Sequence, residues 1–186
     1  MARVPTILWR RLDRPGHDAC RLMDDGDHRM LTGTAVWQDG RTPAVIAYEI
    51  SINSADWSTR SARLRGWAGG RDISLSIQHD GAGNWRMNGE PVPEVTGQRD
   101  IDLGFTPASN LMPLRRLMAA RSDHASMAAA WLDPADWALK LLPQDYRRDG
   151  DGGWRYASPT HDFEARLSVD ADGFVTDYPG LWVKEG

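Results

Sequence analysis

The sequence predicts a mainly β fold in a single domain, and three observations carry that reading. Apolar and polar residues alternate over several short runs, the period-2 pattern of a strand with one buried face. Turn chemistry follows two of those runs directly, as Asp80-Gly81-Ala82-Gly83-Asn84 and Asp170-Ala171-Asp172-Gly173, where Gly and Asp accept the positive φ that hairpins need. Eighteen Gly and eleven Pro are scattered without a repeat period, as in many strands joined by tight turns. At 186 residues the chain holds about one domain of roughly 150 residues, so one domain is assigned to residues 1–186.

In chain order, Val45 and Ala47 alternate with Tyr48, Ile50 and Ile52, and Ile73, Leu75 and Ile77 form the next run. Gly66-Trp67-Ala68-Gly69-Gly70 reads as a turn. One segment asks for a helix, over about residues 111–120. Asn110 is a capping residue, Pro113 is tolerated in the first turn, and Leu114, Leu117 and Met118 recur at helical spacing. Arg121 then suits the negative pole of the helix dipole. Asp149 to Gly153 is a loop before the strand Trp154-Arg155-Tyr156, and Phe163, Ala165, Leu167 and Val169 form the last clear alternation.

The two halves of the chain share marks in the same order. Ala55-Asp56-Trp57 recurs as Ala135-Asp136-Trp137, 80 positions later, and the Asp80 and Asp170 turns lie 90 apart. A duplication is therefore one expectation, with two similar β layers closing over one core.

Composition excludes several classes. The charge sum of 22 Lys and Arg against 26 Asp and Glu is −4, so there is no basic field to gather nucleic acid phosphates or anionic lipid surfaces. Cys20 is the only cysteine, which rules out an intramolecular disulfide and a cysteine-based zinc cluster. The run Ile7-Leu8-Trp9 is broken by Arg10-Arg11, far short of a secretory apolar region, and Met127 to Leu132 is too short for a spanning helix of about 20 residues. The expectation is a cytoplasmic protein without a transmembrane segment, cofactor or metal.

Nucleophile elbows, phosphate-cradling glycine loops, zinc helices and dinucleotide fingerprints do not occur. Each of the five histidines has an aspartate neighbour, as in His79-Asp80 and His161-Asp162. Adjacent strand residues point to opposite faces, so such pairs are not dyads by themselves. The densest polar cluster is Asp100-Ile101-Asp102-Leu103, then Thr106, Asn110 and Arg115-Arg116. On a strand, Asp100 and Asp102 share a face, and a helix folding back brings the arginines over them. Two readings follow: an Asp/Arg network that docks the helix, or an Arg left free to grip an anionic group at a cavity mouth. Nine tryptophans are mostly core, with Trp57 and Trp85 as candidates to line a pocket.

A longer pattern resembles the bacterial family of putative glycolipid-binding proteins. It runs through Leu8-Trp9, Gly33, Tyr48-x-Ile50, Asp56-Trp57-x-Thr59-Arg60 and Gly83-Asn84-Trp85-x-x-x-Gly89. Asp100-Ile101-Asp102-Leu103, Thr106-Pro107-x-x-Asn110-x-x-Pro113-Leu114-Arg115-Arg116-Leu117 and Gln144-x-Tyr146 follow. Val169-Asp170-x-x-Gly173-Phe174-Val175-x-Asp177-Tyr178-Pro179-Gly180 closes it. The chain departs from the family at Ala108 and Met112, where Phe and Leu are usual, which bears on pocket size. The resemblance implies a many-stranded antiparallel β barrel or half-barrel, related in shape to bacterial carriers of lipoproteins and lipids. It also implies an amphipathic ligand, a lipid or glycolipid. The polar cluster and the tryptophans read above then make Asp100, Asp102, Asn110, Arg115, Arg116, Trp57 and Trp85 the candidate binding residues. The alternatives are an enzyme for a small anionic substrate, using Asp100 or Asp102 with Arg115 or Arg116, and a ligand-free scaffold whose barrel is filled by its own side chains.

Overall fold

Alternating inward residues build a sheet of 15 strands in the computed structural model, which describes residues 4–26 and 28–186. The first half contributes β1 (Thr6–Arg11), β2 (Gly16–Asp24), β3 (Arg29–Asp39), β4 (Thr42–Ile52), β5 (Thr59–Ala68), β6 (Arg71–His79), β7 (Trp85–Met87) and β8 (Glu90–Pro91). The second contributes β9 (Ile101–Leu103), β10 (His124–Asp133), β11 (Ala138–Arg148), β12 (Trp154–Ser158), β13 (Phe163–Val169), β14 (Val175–Tyr178) and β15 (Trp182–Lys184). Between β9 and β10 lies one α-helix, α1 (Leu111–Ala120), at the bounds the sequence predicts.

Hydrogen-bonded order runs from β8 down to β1, then from β15 back to β9. Two meanders are thus joined where β1 pairs with β15, and all neighbours are antiparallel except β9 and β10. The sheet does not close, which makes it a half-barrel with edges at β8 and β9. Both edges are short, and Pro91 removes a donor from one of them, which blunts pairing with another chain. Taking the rim where β1 begins as the lower one, the chain from β8 to β9 crosses beneath that rim. There Gly97 N–H donates to Gly83 O at 2.8 Å and Thr59 N–H donates to Arg99 O at 2.9 Å.

The inward rows behave as the alternation requires: Tyr48, Ile50, Ile52, Ile73, Ile77 and Leu167 are all buried. One continuous apolar cluster spans both halves, and Leu111, Met112, Leu114 and Leu117 of α1 belong to it. Most tryptophans are core, but Trp67, read as part of a turn, lies on β5 with its ring 48% exposed.

The start of α1 differs from the expected cap. Asn110 is already helical and its side chain makes no cap bond, because a 3-10 turn at Pro107–Asn110 precedes α1. Thr106 caps that turn instead, its hydroxyl oxygen accepting from Ala108 N–H at 3.0 Å. At the other end Arg121 is the C-cap, left-handed at φ 50°.

The repeated marks prove to be repeated turns. Asn53 O accepts from Trp57 N–H at 3.0 Å, and Asp133 O from Trp137 N–H at 2.7 Å. Asn53 Oδ1 and Asp133 Oδ1 accept from Ala55 and Ala135 N–H at 3.0 and 2.9 Å. Trp57 and Trp137 then adopt the same left-handed φ, 61° and 62°. Likewise Asp80 Oδ1 accepts from Ala82 and Asn84 N–H, and Asp170 Oδ1 from Asp172 and Phe174 N–H. The correspondence stops at strand order. Two strands, β5 and β6, separate the first pair of turns, whereas β11, β12 and β13 separate the second pair. The turns at Asn53 and Asp80 therefore share the lower rim, while those at Asp133 and Asp170 lie at opposite rims. The duplicated turns do not extend to duplicated halves.

Candidate functional site

The register of β9 against β10 pairs Asp102 with Trp131, and Ile101 and Leu103 with Ala130 and Leu132. The apolar set is buried on one face. Asp102 and Trp131 share the other, which looks into the concave side of β9–β15. In β11 the matching inward row reads Leu142, Gln144, Tyr146, and in β12 Tyr156 lies directly across from Tyr146. A glutamine and two tyrosines thus stand where the pattern otherwise places aliphatic residues.

These groups bond to one another around Asp102. Gln144 Nε2 donates to Asp102 Oδ2 at 2.6 Å and to Tyr156 Oη at 3.1 Å. Ser109 Oγ donates to Asp102 Oδ1 at 3.3 Å. Burial pushes the Asp102 carboxyl up to about 6, against the lowering pull of the Gln144 and Ser109 bonds, with Asp100 nearby adding to the rise. Beside it opens a cleft of about 230 Å³ at the upper rim, bounded by Asp102, Asn110, Tyr156, Tyr178 and His161 on its polar side. Trp131, Leu142, Phe163 and Leu181 supply apolar wall. His161 stands edge-on to Trp131 with ring centres 5.0 Å apart, and Tyr156, Phe163 and Tyr178 pack as an aromatic group at about 6 Å. No Arg or Lys lines this cleft. It therefore offers hydrogen bonds and aromatic faces to an uncharged polar group rather than a cationic grip to an anion.

The predicted residues divide between this cleft and the packing beneath it. Asp102 and Asn110 line the cleft, with Asn110 Nδ2 donating to Tyr146 Oη at 2.8 Å. Asp100 and Arg116 form a bidentate pair, one arm at 3.1 Å, with side chains 6% and 20% exposed. That pair ties α1 to the strand before it. Arg115 lies elsewhere, its guanidinium 4.7 Å from the Trp57 ring, while Arg29 covers the same ring at 4.2 Å. Trp57 is thus held between two cations at the lower rim, and its indole is buried. Trp85 is buried against His79 at 4.7 Å, and its Nε1 donates to Gln98 O at 2.9 Å. Trp57, Trp85, Arg115 and Arg116 do not border the cleft. Ala108 is fully buried in the core rather than in the cleft wall, so its small size does not widen the cleft.

Sequence reasoning did not single out Gln144, Tyr156, Tyr178 or His161 as a group. The available signal was polar residues at inward positions of β11 and β12, and it needs the strand register before it can be read. Among the described residues no cluster of three or more His, Cys, Asp or Glu is arranged to hold a metal ion. No helix among them is long and apolar enough to cross a membrane.

Residues 6–184 match the family described as "Putative glycolipid-binding". The crystal structure of a DUF1089 family protein from Pseudomonas aeruginosa is similar over 100% of this chain and 96% of its own, with a TM-score of 0.79 and 28% identity. A β-barrel-like protein of domain of unknown function DUF1849 from Brucella abortus is more distant, with a TM-score of 0.48 and 9% identity over 97% of this chain and 92% of its own. No curated protein matches the chain.

Proposed function

This chain belongs to the putative glycolipid-binding family, and we propose that it binds an amphipathic glycolipid-like molecule, with the uncharged sugar head in the Asp102 cleft. The observation that carries this reading is the ring of polar groups around Asp102 facing aromatic walls in a cleft without Arg or Lys. Sugar hydroxyls need acceptors and donors in alternation, which carboxylate oxygens, amide groups and phenol hydroxyls supply, and the sugar's C–H faces pack on aromatic rings. A volume of about 230 Å³ lies below the 300–1,000 Å³ that encloses a drug-sized ligand, roughly, and suits a single head group. The aliphatic part then leaves past Leu181 toward Leu12, which is 41% exposed and whose N–H donates to Leu181 O at 2.8 Å.

A raised carboxyl in a cleft is also what an acid/base catalyst needs, and Asp102 has it. The enzyme reading for an anionic substrate also requires a cation beside that carboxyl. Arg116 is committed to Asp100 and Arg115 lies over Trp57, so the cleft favours binding of a neutral group.

The test is NMR titration of the ¹⁵N-labelled chain with octyl glucoside below its micellar concentration. The expected result is saturable shifts of amides around Asp102, Tyr156, His161 and Leu181, weakened at least tenfold in Tyr156→Phe. Shifts absent from this region, or unchanged affinity in that variant, would overturn the reading.

A further inference from the structure

A further concavity lies on the solvent-facing side of the first meander. It is a trough of about 820 Å³ across β1–β5. We propose that this trough is a second site, which takes a single-chain anionic amphiphile: a carboxylate or phosphate on an aliphatic chain.

The floor follows from register. Ala19, Thr34 and Ala47 stand side by side on neighbouring strands, with Leu8 at one end of the row and Arg65 at the other. Their side chains are short, so the row is a depression between longer neighbours. The adjacent row ends in Arg63, with Glu49 across from it and Arg21 beyond. Three arginines against one glutamate leave the trough with a charge of +2, in a chain whose net charge is −4. Among the described residues neither Arg63 nor Arg65 makes an ion pair or a side-chain hydrogen bond, and both are exposed. Two uncommitted guanidinium groups on one face of one strand can grip an anion in fork geometry.

The apolar end sets the rest of the ligand. Leu8, at the far end of the row from Arg65, is 41% exposed. From Arg65 on β5 to Leu8 on β1 is four strand spacings, about 19 Å at 4.8 Å each, the span of a long acyl chain. An anion held by Arg63 and Arg65 therefore lays its chain across Ala47, Thr34 and Ala19 toward Leu8. A flat bilayer would touch the arginine and leucine rims without entering the depression, which favours one molecule over a membrane surface. The site is separate from the Asp102 cleft, and the two divide by charge, since that cleft carries no Arg or Lys.

The experiment titrates the labelled full chain with laurate, dodecyl phosphate and dodecyl maltoside, each below its micellar concentration. Laurate and dodecyl phosphate are expected to shift amides of Ala19, Thr34, Ala47 and Arg65, and the stronger of the two identifies the head. The double variant Arg63→Gln/Arg65→Gln, with unchanged melting, is expected to lose at least tenfold in affinity while its octyl glucoside response stays intact. The proposal is overturned if dodecyl maltoside binds the trough equally well, or if the double variant binds as before. It is equally overturned if the chain floats with anionic phospholipid vesicles yet ignores monomeric amphiphiles, or if this face instead pairs two copies in sedimentation. Tyr156→Phe separates the two sites, because it is expected to leave trough binding unchanged.

Discussion

The hydroxyl of Tyr48 on β4 donates to the carboxylate of Asp18 on β2 at 2.9 Å, across a gap that Gly33 on β3 leaves open. Both side chains are buried, and Thr106 before α1 donates to the same Asp18 oxygen, so the contact joins the first meander to the helix segment. The second oxygen, Asp18 Oδ1, has no partner among the described residues. Burial therefore pushes the Asp18 carboxyl up to about 6, against the lowering effect of the Thr106 and Tyr48 bonds.

This gives a pH dependence with a definite sign. The unfolded chain releases the Asp18 proton near 3.8 and the folded one near 6, so stability falls as pH rises between these values. The full penalty above that window is about 3 kcal/mol. Asp18→Asn is expected to raise stability by about 1–3 kcal/mol at pH 7.5 and to bring no gain at pH 4. Urea unfolding at the two pH values checks it, and an equal effect at both would contradict a protonation origin. Asp136 and Asp151, held low by Lys140 and Arg166, act oppositely, their stabilisation being lost in acid.

Gly33 is required by the same contact. A Cβ at this position would overlap the Tyr48 hydroxyl and ring. Gly33→Ala is expected to destabilise by about 1–3 kcal/mol, the usual cost of overpacking. Thermal melting beside Gly150→Ala, whose added carbon meets nothing and whose backbone is not left-handed, separates crowding from general glycine effects.

The Asp100–Arg116 pair is the structural member of the predicted cluster. Arg116→Ala leaves a buried carboxylate without its cation and is expected to cost about 3–5 kcal/mol. Replacing both, as Asp100→Asn with Arg116→Met, is expected to recover most of that loss. Chemical denaturation of the single and double variants measures it, and a double variant no better than Arg116→Ala would refute the pairing account.

Asn53 and Asp133 make the same two acceptor contacts in their turns. Alanine at Asn53 is expected to cost about 1 kcal/mol, the worth of the lost side-chain bond. Asp133→Ala is expected to cost more, because Asp133 Oδ2 also accepts from Lys140 Nζ at 2.6 Å. Guanidinium melts of both variants check it, and equal losses would mean that the Lys140 contact adds nothing to stability.

The Asp102 carboxyl predicts the pH response of the cleft. A hydroxyl that donates to the carboxylate favours the ionised form, so affinity for octyl glucoside is expected to rise as pH increases through about 6. Titrations at pH 5 and 7.5 test this, and Asp102→Asn is expected to flatten the difference.

How much of this was legible in sequence can be seen residue by residue. The strand at Tyr48, Ile50 and Ile52 and the helix over Leu111–Ala120 follow from local periodicity, and both are where that periodicity places them. The recurring Ala-Asp-Trp marks are a local property too, since an Asx turn needs only six consecutive residues to set its hydrogen bonds. The pairing of Asp100 with Arg116 was legible as one of two readings, because strand and helix geometry bring them within reach but do not say which arginine turns inward.

Near neighbours along the chain set alternation, turn chemistry and helix bounds, and the family pattern implies a β barrel or half-barrel, between which the open sheet decides. Tertiary structure alone decided that Asp102 meets Gln144 and Tyr156, because these lie 42 and 54 positions away and share a face only once β9, β11 and β12 are in register. It also decided that Trp57 is clasped between Arg29 and Arg115, and that Arg63 and Arg65 overlook a trough whose depth comes from Ala19, Thr34 and Ala47 on three other strands. A side-chain environment is set by strand register and sheet curvature, which are long-range quantities, and no local window of the chain contains them.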